Sequence, residues 1–178
     1  IGKGRRLFDI DEDGKVLDVQ TGSIGQKYGP YVMYDDGTVI DVQTGIISKK
    51  IREDGRFIAY SNGTVLDTST NLIWAAKDNG KDINWSDAKS YCENYRGGGY
   101  TDWRMPTKAE LAGLYDGNKK NRRGYHVTDL TEITACCPWA SETDGSVAAG
   151  FDFSLGLRYW DPQSGGTGTR ALPVRSGK

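Results

Sequence analysis

Three segments of one design lie in the first seventy or so residues: "DGKVLDVQTG" (13–22), "DGTVIDVQTG" (36–45) and "NGTVLDTSTN" (62–71). Each opens on Asp-Gly or Asn-Gly, the strongest short-range hairpin signal, because such a tight turn needs positive φ. An aliphatic or β-branched pair follows, then an aspartate (an asparagine closes the third copy), with a second polar turn between. Repeats of this kind suggest stacked two-stranded units. Isolated hairpins are barely stable in water and must pack on something. The repeats therefore predict a small β-hairpin element over residues 1–56, a stalk or docking piece, leading into a main domain over 57–178.

The first copy also reads "DIDEDG", with Asp9, Asp11 and Asp13 alternating ahead of Gly14. Carboxylates at positions 1, 3 and 5 before a sharp glycine turn open a calcium loop. Position 12 would here be Gln20 rather than a bidentate glutamate, and the other two copies lack the pattern. A plain hairpin is the better reading, and no metal is expected.

Beyond residue 57 the periodicity changes. "INWSDAKSYCENY" predicts a helix capped by Asn84, with Asp87 near its positive end and Trp85, Ala88, Tyr91 and Tyr95 on one face. "PTKAELAGLY" predicts a second, with Thr107 and Glu110 forming a capping box and Leu111, Leu114 and Tyr115 its apolar stripe. Short apolar runs broken by glycine follow; "AAGFDFSLGLRYW" alternates Phe151 and Phe153 with Asp152 and Ser154, as a strand does. Two helices plus irregular antiparallel strands make an α+β domain.

Bulk properties exclude several classes. With 37% hydrophobic and 11% aromatic residues the chain is globular, and a net charge of -1 leaves no basic footprint for nucleic acid or anionic lipid. The one dense basic run, "KKNRR" (Lys119–Arg123), reads as a solvated loop in preference to a phosphate or polysaccharide contact. No apolar stretch approaches the roughly 18 residues of a membrane span. The start has no signal-like apolar region; it also lacks methionine, so an address could precede it. Cys92, Cys136 and Cys137 fit no zinc spacing. A bridge from Cys92 to one of the adjacent pair would leave one thiol over.

The blocks "NGTVLDTSTNLIW", "WSDAKSYC", "YTDWRMPTKAEL", "PWASE", "FDFSLG" and "RALPVR" together resemble the domain that ends certain bacterial collagen-like adhesins. That family is related to C-type lectins and to the formylglycine-generating enzyme fold. The resemblance covers about residues 57–177, and its "DWRMPT…EL" block is the specific part. The family's closing segment often carries a cysteine where Arg170–Arg175 stand here. From Trp139 onward the chain also resembles the C-terminal variable region of diversity-generating retroelement proteins. Those are receptor-binding or cell-surface proteins on a C-type lectin fold whose surface codons are diversified. The resemblance implies a C-type lectin-like domain, a variable ligand-binding surface and a place on a virion or cell surface.

Catalysis is not expected, and a divergent enzyme of the formylglycine-generating fold stands third, behind a receptor-recognition protein and a carbohydrate-binding adhesin module. His126 is the only histidine, no nucleophile motif lies near it, and no phosphate-cradling glycine loop occurs. The adjacent Cys136 and Cys137 do not suit the separated cysteine pair that the formylglycine-generating enzymes use. No cofactor is implied. Calcium-dependent sugar binding would need more oxygen ligands than Asp161-Pro162-Gln163 provides. Sugar binding by stacking on Tyr159 or Trp160 stays open.

"GLRYWDPQSGG" (156–166) sets large apolar side chains into a glycine-rich loop. Tyrosine, tryptophan and arginine dominate binding hot spots, and tyrosine, serine and glycine are the vocabulary of adaptable binding surfaces. In the resembling proteins the segments at 142–146 and 154–164 converge. The candidate ligand-binding set is therefore Glu142, Thr143, Asp144, Ser146, Asp152, Ser154, Leu155, Arg158, Tyr159, Trp160, Asp161 and Gln163, for a macromolecular ligand, protein first and glycan as the alternative. Leu157 continues the inward parity of Phe151 and Phe153 and is divided between core and surface. Trp74, Trp85, Trp103 and Trp139 are assigned to the core, and Arg170 and Arg175 to carboxylate partners that organise the last strand.

Overall fold

A computed structural model describes residues 8–10, 15–18, 24–28 and 30–177. Nine strands follow one another as an antiparallel meander: β1 (Phe8–Ile10), β2 (Lys15–Asp18), β3 (Ile24–Tyr28), β4 (Tyr31–Tyr34), β5 (Thr38–Asp41), β6 (Ile47–Asp54), β7 (Phe57–Tyr60), β8 (Thr64–Asp67) and β9 (Leu72–Ala75). Then come helices α1 (Trp85–Asn94) and α2 (Lys108–Leu114) and strands β10 (Cys137–Asp144), β11 (Val147–Asp152), β12 (Leu157–Pro162), β13 (Thr169–Arg170) and β14 (Val174–Ser176). The last of these returns to pair antiparallel with β9, while β12-β11-β10-β13 form a second sheet in which only β10–β13 is parallel. The architecture is α+β, with mostly antiparallel strands and two α-helices among the described residues.

The repeat has a plain physical meaning in its second and third copies. Gly37 (φ +82) and Gly63 (φ +80) make the entering turns, donating N–H to Tyr34 O and Tyr60 O. Each copy then supplies one strand, and its aspartate is buried and caps the leaving turn: Asp41 Oδ1 accepts from Gln43 N and Thr44 N, Asp67 Oδ1 from Ser69 N. Gly45 (φ +73) and Asn71 (φ +56) close those turns in the left-handed region, where glycine and asparagine are tolerated best. The hairpins join into one sheet that continues through residue 56, since β6 pairs with β7 from Asp54↔Phe57 to Lys50↔Tyr60. Asp11 and Asp13 of "DIDEDG" lie outside the described residues, and of Asp9 only the backbone in β1 is described.

Strands β7 and β8 are buried on both faces. On one side Phe57, Val65, Trp74 and Val174 meet Leu111 and Leu114 of α2 with Ala149, Phe151 and Phe153. On the other, Ile58, Tyr60, Leu66 and Ile73 meet Tyr31, Tyr100 and Trp103. A third cluster joins Ala88 and Cys92 of α1 to Met105, Trp139, Ala148 and Ala171. The caps fall where the sequence puts them: Asn84 accepts from Asp87 N, and Thr107 with Glu110 completes a capping box.

Two expectations change, and two are sharpened. Trp85 is half-buried, its Nε1 donating to Ala140 O, while Ala88 and Cys92 form the buried side of α1. Leu157, divided between core and surface on its sequence, is exposed, because the turn at 153–156 breaks the strand and resets its parity against Asp152. The disulfide joins Cys136 to Cys137 and leaves Cys92 a buried free thiol, which burial pushes up to about 12. The 119–123 run is a loop with Lys120, Arg122 and Arg123 exposed, but it is anchored: Lys119 pairs with Asp54, Asn121 is buried, and Arg122 and Arg123 pair with Asp129 and Glu132.

Candidate functional site

The second sheet ends on β12, whose outer edge carries no partner strand among the described residues. Its inner neighbour β11 is buried from Ala148 through Phe151. Gln163 N donates to Ser146 O at 2.9 Å, which sets the phase of the ladder. The Asp161, Tyr159 and Leu157 backbone groups therefore bond to β11, and those of Arg158 and Trp160 point outward, alternating as an antiparallel pair requires. Pro162, also outward, has no N–H to offer, a common guard on a sheet edge.

Register decides which candidate side chains share a side. Arg158 and Trp160 stand opposite Phe151 and Ala149 and so lie on the α2 side of the sheet. There Lys108 Nζ sits 4.9 Å from the Trp160 ring centroid, a cation–π geometry. Leu157, Tyr159 and Asp161 stand opposite Asp152, Gly150 and Ala148, on the Trp139 side. Tyr159 is half-buried over Gly150, where an added Cβ would come within 2.3 Å of the phenol ring, and its hydroxyl donates to Cys137 O at 3.3 Å. Burial pushes the Tyr159 hydroxyl well above its ordinary range. Tyrosine and tryptophan thus face opposite ways.

Several candidates are occupied with structural tasks. Both Glu142 carboxylate oxygens accept from Lys108 N at the start of α2, where a negative charge also suits the helix dipole. Asp152 Oδ1 accepts from Ser154 N and Leu155 N and so ties the 153–156 turn. Gln163 Nε2 donates to Gly145 O and Val147 O and holds the β10–β11 turn. The remainder face solvent: Thr143, Asp144 and Ser146 on that turn, Ser154 and Leu155 (66% exposed) on the next, and Arg158 and Trp160 (47%) on β12. The two turns sit at opposite ends of a six-residue strand, roughly 17 Å apart at about 3.3 Å per residue. The candidates form a strip along an edge, not a pocket. Leu157, 58% exposed, and Lys108 join it. Lys108 could not be read from the sequence, because its place opposite Trp160 depends on how α2 docks.

Other chemistry is sparse among the described residues. The Cys136 and Cys137 sulfurs and an Asp152 oxygen lie within 4.8 Å of one another, but the sulfurs are bonded together and so are not thiolate donors. His126 Nδ1 lies 3.0 Å from Lys119 O and its ring packs on Tyr115. No helix among the described residues is long and apolar enough to cross a membrane.

Residues 63–175, more than half of the chain, match the family described as the Lcl C-terminal domain. The chain belongs to this family. The matched region runs from the turn ahead of β8 to Arg175 in β14, and so contains α1, α2, the second sheet and the strip along β12. A search of curated proteins finds no match.

Proposed function

We propose that this Lcl C-terminal domain is a non-catalytic recognition module on a C-type lectin-like scaffold, which displays a ligand-binding strip along β12 and its flanking turns. The observation that carries this reading is the exposure of Leu155, Leu157 and Trp160 on an edge strand and the turn before it, backed by a strand buried from Ala148 through Phe151. Scattered exposed apolar residues are ordinary, but three within six positions of one edge, with Trp160 and Arg158 on the α2 side and Leu157 on the other, line both sides of that edge with apolar and hot-spot side chains. Glu142, Asp152 and Gln163 brace the turns, and the exposed Thr143, Asp144, Ser146, Ser154 and Arg158 supply specificity. The ligand is a macromolecule, a protein first, met at a virion or cell surface.

The second reading, a carbohydrate-binding adhesin module, rests on Trp160, an exposed ring on which a sugar could stack. One experiment separates the two. The immobilised protein is probed against arrays of surface proteins and of glycans, wild type beside Trp160→Ala and Arg158→Ala. Protein hits lost in the variants support the first reading, glycan hits lost in them support the second, and hits indifferent to both variants reject the strip. Diversification by a retroelement is tested at the encoding locus, by a neighbouring reverse transcriptase and a near-copy of the 3′ end that differs at adenines.

A further inference from the structure

The basic run at 119–123 does not contribute to the strip. It folds over a cavity of about 300 Å³ whose lining includes Arg52 from β6, Arg122, Arg123, Asp129 and Glu132. Each carboxylate there is shared by two cations. Asp129 Oδ2 lies 3.3 Å from Arg52 Nη2 and 3.6 Å from Arg122 Nε, and Glu132 lies 3.2 Å from Arg123 Nη2 and 3.7 Å from Lys77 Nζ. Two further polar atoms belong to lining residues that are buried: Asn121 Nδ2 and Thr131 Oγ1, neither with a partner among the described residues.

The imbalance points to what is missing. Three guanidinium groups offer roughly fifteen N–H donors, against about eight lone-pair positions on two carboxylates. Asn121 adds unpaired donors, because its Oδ1 is already occupied by Arg123 N and Tyr125 N while Nδ2 bonds nothing. A buried donor without an acceptor is costly, and this wall therefore suits an acceptor-rich, negatively charged guest. The lining is also net positive by one charge, three arginines against two carboxylates. At about 30 Å³ per water the cavity holds the volume of roughly ten waters, enough for a small molecule.

We propose that this cavity is a binding site for a small oxyanion, the carboxylate or phosphate group of a small molecule, distinct from the strip along β12. The existing ion pairs hold the guanidinium forks in place before the guest arrives. The guest accepts from the donors that Asp129 and Glu132 leave free, and a slight shift of the exposed Arg122 side chain admits it to Asn121 Nδ2.

Inorganic phosphate and citrate are titrated separately by calorimetry and thermal shift, with sodium chloride at matched ionic strength as the control. The expected result is saturable binding of at least one anion and a raised Tm. Asn121→Asp keeps the oxygen that Arg123 N and Tyr125 N use and replaces the free donor by an anionic oxygen; it is expected to weaken binding about tenfold or more. Arg122→Gln changes a side chain that is 83% exposed, so folding does not depend on it, and it is expected to weaken binding several-fold. Binding of phosphate alone assigns a phosphoryl guest, and of citrate alone a carboxylate. The proposal is overturned if neither anion exceeds the salt control at millimolar concentration. It is equally overturned if affinity is unchanged in Arg122→Gln, or in a folded Asn121→Asp.

Discussion

The guanidinium of Arg175 grips the carboxylate of Asp102 with two hydrogen bonds, Nε to Oδ1 at 2.6 Å and Nη2 to Oδ2 at 3.0 Å. Its third nitrogen, Nη1, donates to the Tyr31 hydroxyl at 2.8 Å, and the group lies 3.9 Å from the Tyr100 ring centroid. Beside this clamp, Arg104 and Val174 exchange both backbone hydrogen bonds. One arginine in the last strand thus joins the "TDWRMP" corner, the C-terminus and a strand of the repeat meander. Because Arg175 bonds to it, the Asp102 carboxyl is held below its ordinary value.

Arg175→Ala should therefore destabilise the protein by about 2–5 kcal/mol, because it removes a buried side chain packed on the Tyr100 ring and takes the Nη1 donor from the Tyr31 hydroxyl. Asp102 is partly exposed, so Asp102→Ala should cost less, about 1–2 kcal/mol. Arg175→Lys should rescue little, since an ammonium cannot reproduce the two-pronged grip. Urea denaturation checks all three; a lysine variant as stable as wild type would show that only the charge matters.

Stability should fall on the acid side. Asp54 is held below its ordinary value by hydrogen bonds from Lys119 and Thr128, and Asp102 by Arg175. At Glu110 burial pushes upward, but the bonds from Arg104 and Thr107 prevail and the net shift is downward. A group depressed in the folded state stabilises above its unfolded value and loses that contribution as pH falls through the folded one. Stability should thus be flat from neutrality to about pH 5 and decline below about pH 4.5. Denaturation midpoints against pH measure this, and the acid limb should be shallower in Arg175→Ala. A steeper limb in that variant would contradict the assignment.

What the sequence shows and hides follows from the range of each interaction. The Asp36-Gly37 and Asn62-Gly63 turns, the Asn84 cap and the Thr107–Glu110 box are contacts over two or three residues, and each stands in the structure as read. The arginines at 170 and 175 were expected to find carboxylates, and they do, at Asp82 and Asp102. Which carboxylate each takes, 88 and 73 positions away, is set by docking that no local pattern encodes. Along β12 the strand was legible but its sidedness was not. The turn at Ser154–Gly156 resets the alternation, and the absence of a side chain at Gly150 draws Tyr159 inward while leaving Trp160 out. Likewise, adjacency of Cys136 and Cys137 is visible, but that they pair with each other depends on Cys92 being buried in the Trp139 cluster.

Trp103→Ala tests the frame at the specific corner. Trp103 is buried, packs edge-on against Tyr95 and Tyr100, and donates its Nε1 to Gly97 O at 3.0 Å. Emptying the site should cost about 3–5 kcal/mol, as aromatic core deletions do. Calorimetric unfolding with an unchanged Tm would remove Trp103 from the frame.

Two truncations probe the meander. A protein beginning at residue 30 should retain nearly full stability, because it keeps Tyr31 against Arg175 and Asp54 against Lys119 and Thr128. A protein beginning at 57 should still unfold cooperatively, since α1, α2 and the second sheet all remain. It should be weaker by about 2–5 kcal/mol, having lost the buried Tyr31 and Val39 from the cluster around Trp103. Loss of cooperativity in the longer protein would mean that the first strands are part of the core.

The adjacent aromatics of β12 should separate on mutation. Trp160 is half-exposed and touches Lys108, so Trp160→Ala should change stability by no more than about 0.5 kcal/mol, as surface substitutions do. Tyr159 covers Gly150, lies 6.5 Å from the Trp139 ring and bonds Cys137 O, so Tyr159→Ala should cost about 1–3 kcal/mol from lost packing and an unpaired carbonyl. Gly150→Ala, which puts a methyl group where the phenol lies, should destabilise by a similar amount in wild type. In a Tyr159→Ala background it should cost much less, since the clash has gone, and this coupling is the informative measurement. For ligand capture the order reverses: Trp160→Ala should reduce affinity by about 2 kcal/mol or more if it is the hot spot. Equal losses of stability in the two aromatic variants would mean that Trp160 is also packed, and the strip along β12 would then lose its anchor.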